Sequence, residues 1–190
     1  MSNKNLIRSK KIVLVAHCLL NANSKVEGLE EFNAILKELL TFLIKNNFGI
    51  LQLPCPELTS HGINRWSKVR EQYNNPFYRQ HCNKIIEPII KQVTDYLEND
   101  YMISAVIGVE KSPSCGINES CSAKNWGGNF SAQNQNNLDK TIIINKEGIF
   151  IELLKKEFKK RGYKIPFFGI DELNIDSSIK KLEENFVVKT

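Results

Sequence analysis

Two kinds of apolar pattern alternate along the chain. Short continuous runs, rich in β-branched residues, occupy positions 11–16, 48–53, 101–109 and 164–170. Longer stretches, in which apolar residues recur every three or four positions, occupy 27–46, 76–99, 145–161 and 176–185. Short apolar runs are typical of strands buried on both faces, and the longer spacing is typical of amphipathic helices.

The alternation of strands and helices predicts an α/β fold with a mainly parallel sheet and helices on both faces, a Rossmann-like or flavodoxin-like three-layer sandwich. A length of 190 residues with 42% apolar residues predicts one domain spanning 1–190. Within it, a core over about 11–117 is followed by a polar segment, 118–139, interpreted as a functional loop, and by a C-terminal helix-strand-helix unit, 145–186.

Composition narrows the class of protein. No apolar run approaches the roughly 20 residues that cross a bilayer, so we expect a soluble protein with no membrane partner. No secretory signal is recognisable, which predicts a cytoplasmic location, where cysteines serve as ligands or reactive thiols rather than disulfides. The net charge of +5 does not predict a nucleic-acid partner, because the basic cluster at 155–161 has the spacing of a solvated helix face. We expect a monomer or a homodimer.

Three cysteines stand just after predicted strands, in segments broken by Pro or Gly. Cys18 follows the first strand, Cys55 the second and Cys115 the third. Neighbouring parallel strands would bring their thiols to one crevice at the carboxyl edge of the sheet. One such cysteine alone would be interpreted as a small buried hydrophobe, but the repetition favours a shared metal site. Three thiolates on an iron–sulfur cluster leave one iron open for catalysis.

Other sites remain compatible with these residues. A structural zinc ion would need a fourth ligand, for which His17, His61 and Cys121 are candidates, although the sequence has no CxxC pair. A cysteine hydrolase would need a histidine beside its nucleophile, and His17 is the sequence neighbour of Cys18. Adjacent residues of a strand point to opposite faces, which weakens that interpretation. Cys82 lies within a predicted helix and is expected in the core.

The cysteine motifs resemble those of the 2-thiouracil desulfurase family. Cys18-Leu-Leu matches the first block of the family pattern, and the Cys-Pro-Glu of the second block ends at Glu57. The segment from Ser112 to Gly116, Ser-Pro-Ser-Cys-Gly, matches the third block in full. The resemblance implies a [4Fe-4S] cluster on the three strand-end cysteines, whose fourth iron captures the sulfur of a thiocarbonyl substrate.

The implied activity is removal of sulfur from a thiolated nucleobase or a similar small molecule, with water replacing the sulfur, sulfide released and no net redox change. Glu57 is the candidate general base, because it is the carboxylate nearest to Cys55 in the sequence. Ser112 is a second catalytic candidate, and Ser114 is a candidate for binding the substrate through a hydrogen bond.

The first block departs from the family pattern. Asn21 replaces a glycine, Ser24 stands where a cysteine is common, and Lys25-Val-Glu27 replaces Arg-Tyr-Asp. These departures concern the substrate more than the cluster ligands, and they leave a non-catalytic metal-binding or redox-sensing module as the alternative function.

Overall fold

The computed structural model describes residues 7–123 and 141–187. Its strands are β1 (Lys11–Ala16), β2 (Gly49–Leu53), β3 (Met102–Val109), β4 (Ser120–Ser122), β5 (Ile142–Ile144) and β6 (Phe167–Ile170). Its α-helices are α1 (His17–Leu20), α2 (Lys37–Lys45), α3 (Pro56–His61), α4 (Arg70–Tyr73), α5 (Pro76–Glu98), α6 (Ile149–Lys160) and α7 (Ile175–Val187). A 3-10 turn, η1, covers Ala22–Ser24.

Four strands form one parallel sheet in the order β2-β1-β3-β6, and β4 pairs with β5 in a separate antiparallel ribbon. In the parallel sheet Ala16, the last residue of β1, pairs with Leu53, the last residue of β2. The chain therefore leaves both strands at the same edge. Strand order reverses between β1 and β3, and such a switch point opens a crevice at the carboxyl edge.

Side chains of β1 alternate between two cores. Ile12 and Leu14 join a core shared with α5 and α6, whereas Val13 and Val15 join a core shared with α2 and α7. Helices thus cover both faces of the sheet, which explains why its central strands are continuous apolar runs. The predicted α/β fold with three layers is confirmed.

The helix predicted over 27–46 is wrong in its first half, because α2 begins only at Lys37. Backbone groups just before α2 are hydrogen-bonded to the segment after β1. The N–H of Leu36 donates to the Leu19 carbonyl at 3.0 Å, and the Ala34 carbonyl accepts from the N–H of Ala22 at 2.7 Å. These long-range hydrogen bonds outweigh the helical spacing of the apolar residues.

Two polar stretches contain more regular structure than their composition indicated. The stretch between β2 and α5 forms α3 and α4, and the polar segment 118–139 begins with β4. The remainder of that segment, from 124 onward, lies outside the described residues. No helix within 7–123 or 141–187 is long and apolar enough to cross a membrane.

Candidate functional site

The three strand-end cysteines line one cavity of about 220 Å³ at the carboxyl edge of the sheet. Cys18 lies on α1, directly after β1, and Cys55 precedes α3, directly after β2. Cys115 lies in the turn that follows β3. The prediction that three separate strands bring these thiols to one crevice therefore agrees with the geometry.

The turn around Cys115 is held in place by Ser112, which belongs to the turn, and by the start of α6. The hydroxyl oxygen of Ser112 accepts the N–H of Cys115 at 3.0 Å. From the other side, the N–H of Phe150 donates to the Ser114 carbonyl at 3.0 Å. Gly148 passes so close that a Cβ there would lie 2.3 Å from the Ser114 carbonyl carbon. The backbone that carries Cys115 therefore has little room to move.

Cys55 caps the N-terminus of α3. Pro56 occupies the first turn, where its fixed φ suits a helix start and its missing N–H costs nothing. The N–H of Leu58 donates to the Cys55 Sγ at 3.4 Å. Burial raises the pKa of the Cys55 thiol, and the Leu58 hydrogen bond opposes that rise.

The segment that carries Cys18 is anchored by Arg65, whose side chain is 3% exposed. The guanidinium donates to the carbonyls of Ser24 at 2.7 Å and Gly62 at 3.2 Å, and its Nε lies 3.4 Å from the Glu57 carboxylate. A planar guanidinium with five donors can make all three contacts at once. Arg65 therefore ties the loop after Cys18 to the helix after Cys55.

Glu57 and Ser114 form a polar pair inside the cavity. The Ser114 hydroxyl donates to Glu57 Oε1 at 2.5 Å, and the same hydroxyl oxygen lies 3.6 Å from the Cys115 Sγ. The Ser114 hydroxyl thus contacts both the Glu57 carboxylate and the sulfur of Cys115, a candidate ligand. Tyr73 is buried behind it, and burial, followed by the charge of Glu57, raises the pKa of that phenol.

The three thiols influence one another electrostatically. Burial raises the pKa of Cys115 well above its ordinary value, and the charges of Cys18 and Cys55 raise it further. Burial and then Cys55 likewise raise the pKa of Cys18. Without a compensating cation the thiols stay protonated at neutral pH. Four cationic side chains line the same cavity, Lys25, Arg65, Lys68 and Lys111.

The other candidate ligands lie in different places. Cys121 lines the same cavity, and its Sγ donates to the Lys68 carbonyl at 3.7 Å. Burial and then the charge of Glu57 raise its pKa to about 11. Among the described residues that line this cavity, neither His17 nor His61 is present. His17 instead faces a second opening and contacts Gln52.

Two of these observations bear on the alternatives. Because His17 and Cys18 line different cavities, no cysteine–histidine pair for a hydrolase forms between them. Cys82 is fully buried in the core between the sheet, α5 and α6, as its helical position predicted.

Several residues of the site were not predicted. Arg65 and Lys68 stand in a polar stretch without a strand-end signal, and Glu172 follows β6, the strand of the parallel sheet after which no cysteine stands. Parallel topology could have pointed to Glu172, because the carboxyl end of β6 lies at the same edge. A wider cavity of about 670 Å³ adjoins the first and shares Lys25, Val26 and Arg65 with it.

The donor set suits a cluster better than a single ion. Among residues 7–123 and 141–187, no group of three His, Cys, Asp or Glu side chains is arranged to hold one metal ion. An iron–sulfur cubane attaches each cysteine to a different iron, so its ligands do not converge on one point. Three thiols around one cavity, one buried at Cys115 and two half-buried at Cys18 and Cys55, with cationic side chains in the cavity wall, fit such a group.

Comparison with known proteins yields a family and a relative. The family model described as "Putative 2-thiouracil desulfurase" matches residues 10–134, which include the three strand-end cysteines, Glu57 and both serines of the turn. An uncharacterized protein of Methanocaldococcus jannaschii is 44% identical over 111 residues, 58% of this chain and 70% of that protein. No solved structure matches the chain.

Proposed function

Since the chain belongs to the 2-thiouracil desulfurase family, we propose that it is a [4Fe-4S]-dependent enzyme that removes sulfur from a thiolated nucleobase or a similar thiocarbonyl compound. The observation that carries this proposal is the convergence of Cys18, Cys55 and Cys115 on one cavity. Water would replace the sulfur, so that the thiocarbonyl becomes a carbonyl and sulfide leaves, with no electron transferred.

The three cysteines would hold the cluster, and the residues around them would hold those cysteines. When bound, a cluster with three thiolate ligands supplies a Lewis-acidic iron with an open position for sulfur. The Ser112 hydroxyl oxygen accepts the N–H of Cys115 at 3.0 Å and so holds the backbone that carries this thiol. The N–H of Leu58 donates to the Cys55 Sγ at 3.4 Å and holds the second thiol directly. Ser112 therefore supports the cysteine turn in this proposal, whatever further catalytic part it plays.

Glu57 is proposed as the general base that takes a proton from the attacking water. Ser114 occupies Oε1 of the carboxylate by donating its proton there at 2.5 Å. Oε2 has only the longer contact with Arg65, at 3.4 Å, so it is the oxygen with capacity for a new proton. The Ser114 oxygen keeps free lone pairs with which it can accept an N–H of the substrate.

Anaerobic reconstitution tests the cluster. We expect about four irons per chain, an equal amount of acid-labile sulfide and a broad visible absorption band. The triple variant C18S/C55S/C115S should lose all three signals, whereas C82S, which changes a core cysteine, should keep them. Zinc in place of iron, or iron content unchanged in the triple variant, would contradict the proposed cluster.

Turnover tests the enzyme. The loaded protein should convert 2-thiouracil or a related thiolated base to the oxygen analogue, with one sulfide released per turnover. The loss of thiocarbonyl absorbance measures this conversion. Glu57→Gln should lower kcat by about 100-fold or more while the iron content stays constant, because a general base supplies about that much. A cluster that binds fully but turns over no member of a thiopyrimidine panel would contradict the proposed activity.

A non-catalytic metal-binding or redox-sensing module is the alternative that such a result would favour. One observation supports it: Cys121 adds a fourth thiol to the cavity wall, which an enzyme with three cysteine ligands does not need. In that case the visible spectrum should respond to oxidants, and C121S should alter the response without changing the iron content.

A further inference from the structure

Two lining residues have no part in the chemistry proposed above. Lys25 and Glu172 form an ion pair at 2.7 Å, with side chains 13% and 11% exposed, across the wall of the cavity that holds the three cysteines. Lys25 belongs to the loop where the sequence departs from the family pattern, and Glu172 lies beyond the residues that the family model matches. The pair is therefore a feature of this chain rather than of the shared motifs.

The pair has unused hydrogen-bonding capacity. Lys25 carries three N–H donors, of which one goes to Glu172 Oε2. Glu172 Oε1 is buried, and it accepts no hydrogen bond from any residue within 7–123 or 141–187. A buried oxygen without a donor costs free energy, so a native structure normally supplies a partner. An N–H of a ligand bound in this cavity would supply that partner.

The position of the pair relates that capacity to the reacting group. Lys25 and Glu172 line the same cavity as Cys18, so the pair borders the space beside a proposed cluster ligand. A donor and an acceptor side by side complement an amide edge, in which a carbonyl acceptor stands next to an N–H donor. Thiolated pyrimidines carry that edge beside the sulfur.

We propose that Lys25 and Glu172 recognise the –NH–C(=O)– edge of the substrate, with Glu172 Oε1 accepting the N–H and Lys25 Nζ donating to the carbonyl oxygen. This inference rests on the proposed function and adds the substrate class: cyclic thioamides whose ring nitrogen next to the carbonyl is unsubstituted. The two residues determine specificity and take no part in the bond changes.

A neighbouring ion pair provides a matched control. Lys111 donates to Asp171 at 3.0 Å, and Lys111 lines the same cavity. The Asp171 carboxylate, however, also accepts from the side chain of Asn174 at 3.0 Å and from the N–H of Leu173 at 3.2 Å. It is satisfied within the protein, so Asp171 offers a ligand no comparable free acceptor.

The test measures binding of sulfur-free ligands to the cluster-loaded protein by isothermal titration calorimetry. Uracil should bind at least about tenfold more tightly than 1,3-dimethyluracil, because the methyl groups remove the N–H that Glu172 accepts. Glu172→Ala should reduce this preference to about threefold or less, whereas Lys25→Met, which removes the donor to a carbonyl that both ligands carry, should weaken the binding of both ligands. Lys111→Met should change neither the preference nor the two affinities.

Equal binding of uracil and 1,3-dimethyluracil by the wild-type protein would overturn the inference, as would a preference that survives in Glu172→Ala. Iron content and melting temperature show whether each variant is intact, and Glu172→Met, which keeps a similar side-chain volume without the oxygen acceptor, replaces an unstable alanine variant. The ligands contain no sulfur, so this result is independent of turnover: a protein that desulfurates thiouracil but ignores N-methylation refutes the inference alone.

Discussion

The walls of the cavity that carry Cys115 and Cys18 are built differently. Cys115 sits in a turn, 8% exposed, that is hydrogen-bonded within itself and packed against the N-terminus of α6. Cys18 begins a segment of short helical turns and bends that leads to Leu29 and Ile35, which are 49% and 40% exposed. One wall is a packed unit and the other is a loop held at a few points.

The difference matches the sequence motifs. The packed wall contains the five-residue motif that agrees fully with the family pattern, and the loop contains the departures at Asn21, Ser24 and 25–27. A backbone with no spare space tolerates few substitutions, whereas a loop held by a few contacts tolerates many. Of the proposed cluster ligands, Cys115 thus depends on the packed wall, whereas Cys18 and the proposed recognition by Lys25 depend on the loop.

The largest expected effect comes from Arg65, because it joins the two walls. Replacing Arg65 with Met removes the donors to Ser24, Gly62 and Glu57, and it leaves the buried Ser24 carbonyl and the half-buried Glu57 carboxylate without the guanidinium. We expect a loss of about 3 kcal/mol or more in the free energy of unfolding, measured by urea denaturation of the metal-free protein.

Arg65→Lys is the control for charge in that experiment. Lysine keeps the positive charge but cannot reach all three acceptors with a planar fork, so it should recover only part of the lost stability. If Arg65→Met unfolds at the same urea concentration as the wild-type protein, the loop after Cys18 does not depend on this anchor, and the contrast between the walls is smaller than the contacts indicate.

A pair of glycine variants compares the two walls directly. Gly148→Ala would place a Cβ 2.3 Å from the Ser114 carbonyl carbon, and the nearest atoms, in Ser114 and Cys115, all belong to the backbone. We expect a loss of about 2–3 kcal/mol together with weaker retention of iron. Gly28, in the loop after Cys18, has a φ of 85° but no atom within 4 Å of an added Cβ, so Gly28→Ala should cost only the strain of the left-handed conformation, about 1 kcal/mol.

Retention of iron separates the two glycine variants more sharply than stability does. Gly148→Ala disturbs the turn of Cys115 itself, whereas Gly28→Ala disturbs the loop at a position ten residues after Cys18. Equal iron content in both variants after gel filtration would contradict the assignment of Cys115 to a rigid wall.

The parts of the fold that could be predicted from sequence are those governed by local pattern. The four strands of the parallel sheet, the two-sided burial of β1 and β3, and the placement of Cys18, Cys55 and Cys115 at one edge follow from continuous apolar runs and parallel topology. The short length of α2 could not be predicted, because Leu36 and Ala34 are committed to hydrogen bonds with the loop after β1. Arg65 and Glu172 could not be predicted either, since long-range contacts bring them to the site.

The smallest expected effect concerns Glu71, which fastens β4, the strand that follows the packed Cys115 wall. Its carboxylate accepts from the Ser122 hydroxyl at 2.6 Å and from the Ala123 N–H at 3.2 Å. Burial alone would raise the pKa of Glu71, but these hydrogen bonds lower it below the ordinary 4.5. Because the folded pKa is the lower one, this contribution to stability is full above pH 4.5 and disappears as the pH falls through the folded value.

Glu71 is solvent-exposed, so we expect the contribution to be at most about 1 kcal/mol. The urea midpoint should therefore fall less between neutral and acid pH in Glu71→Gln than in the wild-type protein. Glu38→Gln, at an exposed glutamate on α2, should retain the wild-type fall, and an identical fall in both variants would refute the role of Glu71.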